Sequence, residues 1–119
     1  LAGVKDKNKF KTISKIGTGL TDEQFRELDT RTKKIHTEEK PKENEVDKNL
    51  EPDDWTNPEL VVEIMADEIT KSPIHTAGKS KKRGYALRFP RLVKFRDDKD
   101  PKNATSVKEV ENLFELQKK

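Results

Sequence analysis

The sequence predicts a mainly β domain that folds as a small open barrel with two helices. Short apolar segments alternate with turn residues along much of the chain, and two segments carry helix capping boxes. The βαβ spacing that builds a doubly wound sheet is missing. The resulting order is strand, strand, helix, strand, strand, helix, and an open Greek-key barrel of the OB type is one architecture that fits it.

Two strands are expected at the start of the chain. Residues 1–4 form a short apolar run, and residues 6–9 have the composition of a turn. Residues 10–16 are compatible with a second strand, which ends at the glycines of residues 17–19. Glycines there indicate a tight turn or a backbone that closely approaches another group. The first residue is Leu1 rather than Met, which suggests a fragment or a processed piece.

The first helix is expected from Thr21 to about Ile35. Thr21 and Gln24, three residues later, form a capping box. Phe25, Leu28 and Ile35 fall on one helical stripe, which predicts an amphipathic helix.

An acidic segment separates this helix from the second half of the chain. Residues 38–54 hold eight acids, three lysines and two prolines, with only Val46 and Leu50 apolar. This composition predicts a flexible acidic loop. Trp55 follows the loop, and we expect its ring to hold the loop against the body of the domain.

The second half is expected to hold two strands and a helix. Residues 60–66 alternate as in a strand, and residues 71–84 predict a long loop with a basic end before the last strand. Ser106 and Glu109 form a second capping box, so a C-terminal helix is expected over residues 106–119. Its apolar face consists of Val107, Val110, Leu113 and Phe114.

The predicted last strand, residues 85–95, carries the main indication of function. Its apolar side chains share one parity: Tyr85, Leu87, Phe89, Val93 and Phe95. Arg88, Lys94 and Arg96 share the other parity, so a period of two places these cations on one face of an extended ribbon. Ordered cations on a sheet face are typical of surfaces that bind phosphates.

Composition limits the chain to one small domain with a thin core. It has 119 residues, of which 29% are hydrophobic and 41% charged, so it is either partly mobile or stabilised by neighbours. The net charge is +3, yet residues 79–99 hold nine cations and two anions, a local charge of +7 that leaves −4 elsewhere. A local basic field is typical of a nucleic-acid binder. A solvated charged surface, as in a thermophile protein, is the alternative.

Several classes of site are excluded or disfavoured. The chain has no Cys, which excludes disulfides and thiolate metal sites, and no apolar run reaches transmembrane length. His36 and His75 lack partners at ligand spacing, so no metal site is predicted. Asp97 and Asp98, adjacent on a strand, are expected to point to opposite faces, which argues against a joint ligand role. A Walker A loop is missing.

Four segments, in order, resemble those of the ATP-dependent DNA ligases of the archaeal and eukaryotic type. Residues 85–105 resemble the C-terminal motif of that family, and residues 15–23 resemble its Lys-x-Gly-Thr-Gly-Phe segment, with Leu20 where the family often has Phe. Residues 54–58 resemble its His-Trp-x-x-Pro, and residues 63–74 resemble its strand ending in Ser-Pro. Together these segments span nearly the whole chain.

The resemblance implies that residues 1–119 are the OB-fold domain that follows the adenylation domain, without the family's first strand. In that family a lysine attacks ATP, AMP passes to the 5′-phosphate at a nick, and the 3′-hydroxyl then displaces AMP. The Lys-x-Asp-Gly motif that carries this lysine is not in the sequence. The chain by itself is therefore expected to be inactive.

The same resemblance implies cofactors and partners. ATP and Mg²⁺ are expected in the complete enzyme, bound mainly by the adenylation domain of the same parent protein. Nicked duplex DNA is the expected substrate. Whether a sliding clamp is a further partner is left open, and no contact with a membrane is expected. The expected location is intracellular, in the cytoplasm of a prokaryote or archaeon or in the nucleus of a eukaryote.

The resemblance also implies roles for the last basic residues. Arg96 and Lys99 match the Arg-x-Asp-Lys end of the last motif, which in the family orients the β and γ phosphates of ATP. They are the expected catalytic residues, since positioned cations stabilise the departing pyrophosphate. Arg91 and Lys94 are expected to bind the ATP phosphates with them.

Arg88 and Phe89 match the family pair that enters the DNA minor groove near the nick. The alternation of the strand instead places Phe89 in the core. Pro90 interrupts the pairing and permits a bulge that re-aims the ring, so we favour DNA contact, where an apolar wedge partly unstacks a base step. The other residues assigned to DNA binding are Lys15, Gly17, Thr18, Lys79, Lys81, Lys82 and Arg83.

Two other functions stay open at this point. A stand-alone OB module that binds single strands would need exposed stacking aromatics, and the chain has only seven aromatic residues. The OB domain of an RNA capping enzyme or RNA ligase shares the Arg-x-Asp-Lys end. The Arg-Phe-Pro-Arg and Ser-Pro-Ile segments favour DNA ligase over these RNA enzymes.

Overall fold

Nine strands and two α-helices make up the described parts of the chain, which are residues 1–16, 19–79 and 83–117 of a computed structural model. The strands are β1 Ala2–Asp6, β2 Lys9–Ser14, β3 His36–Thr37, β4 Asn44–Glu45, β5 Trp55–Thr56, β6 Val62–Met65, β7 Glu68–Ser72, β8 Gly84–Arg88 and β9 Arg91–Phe95. The helices are α1 Asp22–Lys33 and α2 Val107–Gln117. The predicted fold class is confirmed, since the domain is mainly β with two helices and fits a small OB-type fold.

The core lies where the β1–β2 hairpin, β8 and α2 meet. The hairpin is antiparallel, and Lys7 at its tip takes a left-handed φ of 57°. Val4 and Ile13 of the hairpin pack with Tyr85 of β8 and with Val110 of α2. The predicted capping box holds the start of α2, because Ser106 and Glu109 exchange side-chain-to-backbone hydrogen bonds.

Helix α1 lies beside β9, and none of its side chains is fully buried. The predicted capping box is present: Thr21 accepts from the backbone N–H of Gln24, whose side chain accepts from the Thr21 backbone. The expectation of an apolar stripe is only partly confirmed, because Leu28 is half-buried whereas Phe25 is exposed. The physical reason is that α1 meets the sheet partly through polar contacts, such as the hydrogen bond from Gln24 Nε2 to the Leu92 carbonyl at 3.0 Å.

The prediction of one strand over residues 85–95 is wrong, because the structure breaks it into β8 and β9. β8 pairs with β7 and β9 pairs with β6, both antiparallel. The break falls at Phe89 and Pro90, where β6 also gives way to β7 on the partner side. The two pairs therefore form a two-stranded ribbon that bends at these residues.

The bend also changes which side chains face inward. The alternation is shifted after the break, so that Leu92 is buried and Val93 is 41% exposed, the reverse of the prediction. Because of the break, Arg88 ends β8, whereas Lys94 lies in β9 and Arg96 directly follows it. The three cations therefore do not share one straight face.

Two polar segments contain regular structure. Residues 68–72 form β7, which pairs in register with β8, so the loop predicted at residues 71–84 begins later than expected. Within residues 38–54, β4 pairs with β2, and a 3₁₀ turn ends at the buried Leu50. Trp55, which follows this segment, lies in β5 and pairs with β3.

Among the described residues, the sheets do not close into a continuous barrel. A cleft of about 610 Å³ lies between them, lined largely by half-buried apolar side chains such as Leu60, Ile64 and Leu87. The thin core expected from the composition is thus also a property of the folded domain.

Candidate nucleic-acid and phosphate-binding sites

The bent ribbon carries two groups of the predicted site residues. We call Arg88–Arg91 the corner, where the ribbon bends, and Arg96–Lys99 the turn, which follows the end of β9. The corner holds Arg88, Phe89 and Arg91, and the turn holds Arg96 and Lys99. β9 connects the two, and the five residue steps from Arg91 to Arg96 span about 17 Å.

Phe89 projects from the corner into solvent. Its side chain is 60% exposed, which excludes the core interpretation of this residue. Its φ of 53° lies in the left-handed region, which is a rare conformation for a bulky side chain. Backbone strain of this kind persists where the surrounding structure enforces it, and it is concentrated at functional sites.

The loop that precedes α1 holds the corner in place. The backbone N–H of Leu92 donates to the Gly19 carbonyl at 2.9 Å. A Cβ on Gly19 would lie 2.1 Å from the Pro90 carbonyl oxygen, so only glycine permits this approach. The structure therefore brings Gly19 of the 15–23 segment against the corner, while the predicted DNA contacts Gly17 and Thr18 lie outside the described residues.

Carboxylates from the opposite strands meet both corner arginines. Arg88 Nη1 donates to Glu68 at 2.7 Å, and the Arg88 guanidinium also lies 5.1 Å from the centre of the Phe89 ring. Arg91 Nη1 donates to Asp67 at 3.0 Å. All four charged side chains are well exposed to solvent, so each pair is a surface ion pair of small net stability.

The turn holds Arg96 more tightly. Its Nε and Nη2 both donate to Asp98 at 2.9 Å, and its Nη1 donates to Glu63 of β6 at 2.9 Å. The side chain is only 24% exposed. Its backbone N–H is bonded to the Val61 carbonyl at 2.8 Å, so both the main chain and the guanidinium of Arg96 are fixed.

The charges of this pair support each other. The hydrogen bonds from Arg96 lower the pKa of the Asp98 carboxyl to about 2, with a smaller contribution from the nearby Lys94 charge. The hydrogen bonds to Asp98, and then those to Glu63, raise the pKa of the Arg96 guanidinium. Both groups are therefore fully charged at neutral pH.

Lys94 and Lys99 belong with Arg96 to the predicted phosphate-binding set, whose fourth member, Arg91, lies at the corner instead. Lys99 follows Arg96 in the turn, with its backbone N–H 3.3 Å from the Arg96 carbonyl. Within the described parts of the chain, neither lysine ammonium makes an ion pair, and both side chains are exposed. They are free to meet an anion.

Two of the other predicted DNA contacts, Lys79 and Arg83, are not brought to the corner. Lys79 pairs with Asp47 at 3.3 Å, and Arg83 precedes β8 at the end opposite to Phe89, about 20 Å away along the strand. Lys15 is exposed. Lys81 and Lys82 lie outside the described residues.

Arg31 of α1 was not predicted from the sequence, and it contacts both residues that flank Arg96. Its guanidinium lies 4.5 Å from the centre of the Phe95 ring and donates to Asp97 at 2.6 Å. The i,i+4 spacing of Glu27 and Arg31 was visible in the sequence, but the tertiary contacts were not.

The two aspartates of the turn have different partners. Asp97 pairs with Arg31 and Asp98 pairs with Arg96, in a turn rather than on the strand where the sequence placed them. His75 Nδ1 lies 2.8 Å from the Ser72 hydroxyl, and burial lowers the pKa of its ring. Over residues 1–16, 19–79 and 83–117, no three potential metal-ligating side chains form a group. A membrane-spanning helix is likewise not found in those ranges.

Comparison with known proteins decides the family. Residues 1–99 match the family model described as the ATP-dependent DNA ligase C-terminal region. The chain belongs to this family. The resemblance seen in the four sequence segments is thereby confirmed, and the corner and the turn are features of a ligase C-terminal region.

The curated relatives are named as DNA ligases or probable DNA ligases. The chain is 49% identical to a probable DNA ligase of Dictyoglomus turgidum, 41% identical to a DNA ligase of Hyperthermus butylicus and 40% identical to DNA ligase 1 of Methanosarcina barkeri. These matches cover 100%, 94% and 92% of the chain but only 21%, 19% and 20% of the relatives. The chain thus spans about a fifth of the length of the curated relatives it matches.

Proposed function

We propose that this domain acts within an ATP-dependent DNA ligase and uses its two sites in different steps of nick sealing. The turn serves the first step, in which a lysine of the adenylation domain attacks the α-phosphate of ATP and pyrophosphate leaves. The corner serves the later steps, in which the domain lies against the minor groove of nicked duplex DNA. The observation that carries the proposal is the exposed, left-handed Phe89 between two arginines.

The chemistry of the corner supports DNA contact. An apolar ring that projects into solvent can enter the minor groove and partly unstack a base step. Arg88 and Arg91 flank it, and their surface ion pairs can exchange a carboxylate for a phosphate at little cost. A single-strand-binding module is less well supported, because such modules stack successive bases on several aromatic side chains, whereas the corner offers one.

The chemistry of the turn supports a role toward the β and γ phosphates of ATP. Arg96 uses three of its five N–H groups on Asp98 and Glu63, which leaves two for a phosphate while the guanidinium stays oriented. Lys94 and Lys99 add mobile charge beside it. Fixed cations stabilise the negative charge that develops on the departing pyrophosphate.

ATP and Mg²⁺ would be bound mainly outside this chain. The described residues offer cations for the nucleotide phosphates but no carboxylate cluster that could hold Mg²⁺ by itself. Mg²⁺ would supply further charge neutralisation on the phosphates. The nucleophilic lysine and the nucleotide pocket belong to the rest of the complete enzyme, a sliding clamp is a further proposed partner, and the proposed compartment is intracellular.

The test is to separate the two steps in the complete ligase that carries this domain. Arg96→Ala or Lys99→Ala should impair self-adenylylation with ATP more than sealing of a pre-adenylated nick, whereas Arg88→Ala should do the reverse. The isolated chain should bind duplex DNA weakly and form no AMP adduct with ATP. Equal losses of both steps in all three variants would contradict the division of roles, and an AMP adduct on the isolated chain would contradict the dependence on an adenylation domain.

A further inference from the structure

Arg31 of α1 connects the helix to the residues on both sides of Arg96. The guanidinium stacks on the Phe95 ring at 4.5 Å and pairs with Asp97 through two hydrogen bonds of 2.6 and 3.3 Å. Glu27, one helical turn earlier, accepts from Nε and Nη2 at 3.2 and 2.8 Å. Glu27 thus orients Arg31 from within α1, and Arg31 contacts the residues immediately before and after Arg96.

Arg31 also sets the charge of the turn. Arg31 pairs with Glu27 and Asp97, and Arg96 pairs with Glu63 and Asp98. Without Arg31, Asp97 would lose its ion-pair partner beside Asp98, and this group of side chains would be more negative by one charge. The hydrogen bond from Arg31 is what chiefly lowers the pKa of Asp97, while the Asp98 charge acts in the opposite direction. An unpaired Asp97 would repel a polyphosphate and compete for Arg96 and Lys99.

We propose that Arg31 is a positioning residue for the turn: it holds Phe95 and Asp97 so that Arg96 and Lys99 face the β and γ phosphates of ATP. This inference rests on the proposed function of the turn. In this proposal Arg31 acts through these neighbours rather than by touching the nucleotide, since four of its five N–H groups bond to Asp97 and Glu27 and one face of the guanidinium lies over Phe95. The geometry requires arginine, because a lysine cannot stack on Phe95 and bind Asp97 through two N–H groups at once.

The experiment measures two rates in the complete ligase: single-turnover self-adenylylation across a range of ATP concentrations, and sealing of a pre-adenylated nick. Arg31→Ala should lower adenylylation about 10- to 100-fold, as expected for a misplaced catalytic group, and raise the ATP concentration at half-maximal rate. Sealing of the pre-adenylated nick should change by less than about threefold, because that step does not use the turn-bound phosphates.

Three further variants separate position from charge and from stability. Arg31→Lys keeps the charge and should recover only part of the adenylylation rate. Asp97→Asn removes the carboxylate charge and one of the two acceptor oxygens without removing the arginine, and it should also slow adenylylation. Arg26→Ala removes an exposed arginine of the same helix and should leave both rates unchanged. Thermal melting of each variant establishes that it is folded, and Arg31→Lys together with Asp97→Asn carries the test if Arg31→Ala is not.

Three results would overturn the inference. They are full recovery by Arg31→Lys, equal losses of adenylylation and sealing in Arg31→Ala, and a loss in Arg26→Ala as large as in Arg31→Ala. The first result would mean that only the charge of Arg31 matters. The other two would mean that Arg31 only stabilises the fold. Arg96→Ala, measured in parallel, distinguishes this failure from failure of the proposed function. If Arg96→Ala leaves adenylylation intact, the turn has no role in that step, and the inference about Arg31 falls with it.

Discussion

The corner and the turn carry arginines of the same ribbon, but the ribbon holds them in different ways. Arg88 is 56% exposed, and its guanidinium makes one hydrogen bond to one carboxylate. Arg96 is 24% exposed, and its guanidinium makes three hydrogen bonds to two carboxylates. The corner therefore offers a mobile cation beside an exposed ring, whereas the turn offers a cation in a fixed orientation.

The difference between the two sites matches what each is proposed to bind. DNA phosphates near a nick are numerous, so a mobile arginine can exchange its carboxylate partner for whichever phosphate arrives. The β and γ phosphates of one ATP must be met at a defined angle for pyrophosphate to leave in line. Preorganisation is useful at the turn, and easy release is useful at the corner.

The sharpest test of this comparison is the same conservative change at both sites. Arg96→Lys should lower self-adenylylation of the complete ligase about 100-fold, because a lysine cannot reproduce the fork that binds Asp98 and Glu63. Arg88→Lys should change nick sealing by no more than about threefold, since one hydrogen bond and one charge are retained. Single-turnover assays of each step measure both effects. Similar losses at both positions would show that the corner needs fixed geometry as well.

Phe89→Ala should affect sealing but not stability. The ring is exposed, so its removal should shift the unfolding free energy by less than about 0.5 kcal/mol, compared with about 3–5 kcal/mol for a buried Phe. Loss of the proposed wedge should lower nick sealing about tenfold while self-adenylylation is retained. Thermal melting and the two step assays provide the measurement. A collapsed melting transition would remove the wedge assignment.

Releasing the corner arginines should strengthen DNA binding by the chain. Asp67→Asn and Glu68→Gln remove the negative charges that pair with Arg91 and Arg88. Each should tighten duplex binding about two- to fivefold, the equivalent of one surface ion pair, and steepen the salt dependence by up to about 0.9 in log K against log [salt].

The matched control for these changes is Asp29→Asn, whose partner Lys33 lies on α1 away from the corner. It changes the net charge equally, so it reports the general electrostatic effect alone. A gain in Asp29→Asn as large as in the corner variants would show that long-range charge, not release of the arginines, is responsible.

The smallest effect is expected in the pH dependence of the turn. The folded-state pKa of Asp98, about 2, lies below its usual value of 3.8 because Arg96 donates to it. The stabilisation from this pair is therefore complete above about pH 4 and is lost as the pH falls towards 2. In an NMR titration of the Asp98 carboxyl, Arg96→Lys should move the midpoint up toward 3.8. An unchanged midpoint would mean that the two hydrogen bonds from the Arg96 guanidinium to Asp98 contribute little to the fixed geometry.

Much of the local structure could be predicted from the sequence because it depends on neighbouring residues. The capping boxes at Thr21 and Ser106 are formed by side chains three residues apart, and both are present in the structure. The turn residues between β1 and β2 likewise set their own hairpin. The family could be recognised because the order of motifs along a chain is itself sequence information.

The predictions were least reliable where a distant contact overrides the local pattern. Alternation alone made residues 85–95 one strand, but Pro90 breaks the pairing and Gly19 packs against the break. β7 has a polar sequence and is a strand because β8 pairs with it. The contact between Gly19 and Pro90 and the pairing of β7 with β8 both join residues that are distant in the sequence.

The sequence by itself determined which charged and aromatic residues the two sites contain, since their identities and order are visible in residues 85–105. Only the tertiary structure decided how they are held. Glu63, Asp67 and Glu68 face the arginines because β6 and β7 pair with β9 and β8, and Arg31 reaches Asp97 because α1 lies beside β9. These contacts join residues 20 to 66 positions apart, so no local pattern of side chains could have indicated them.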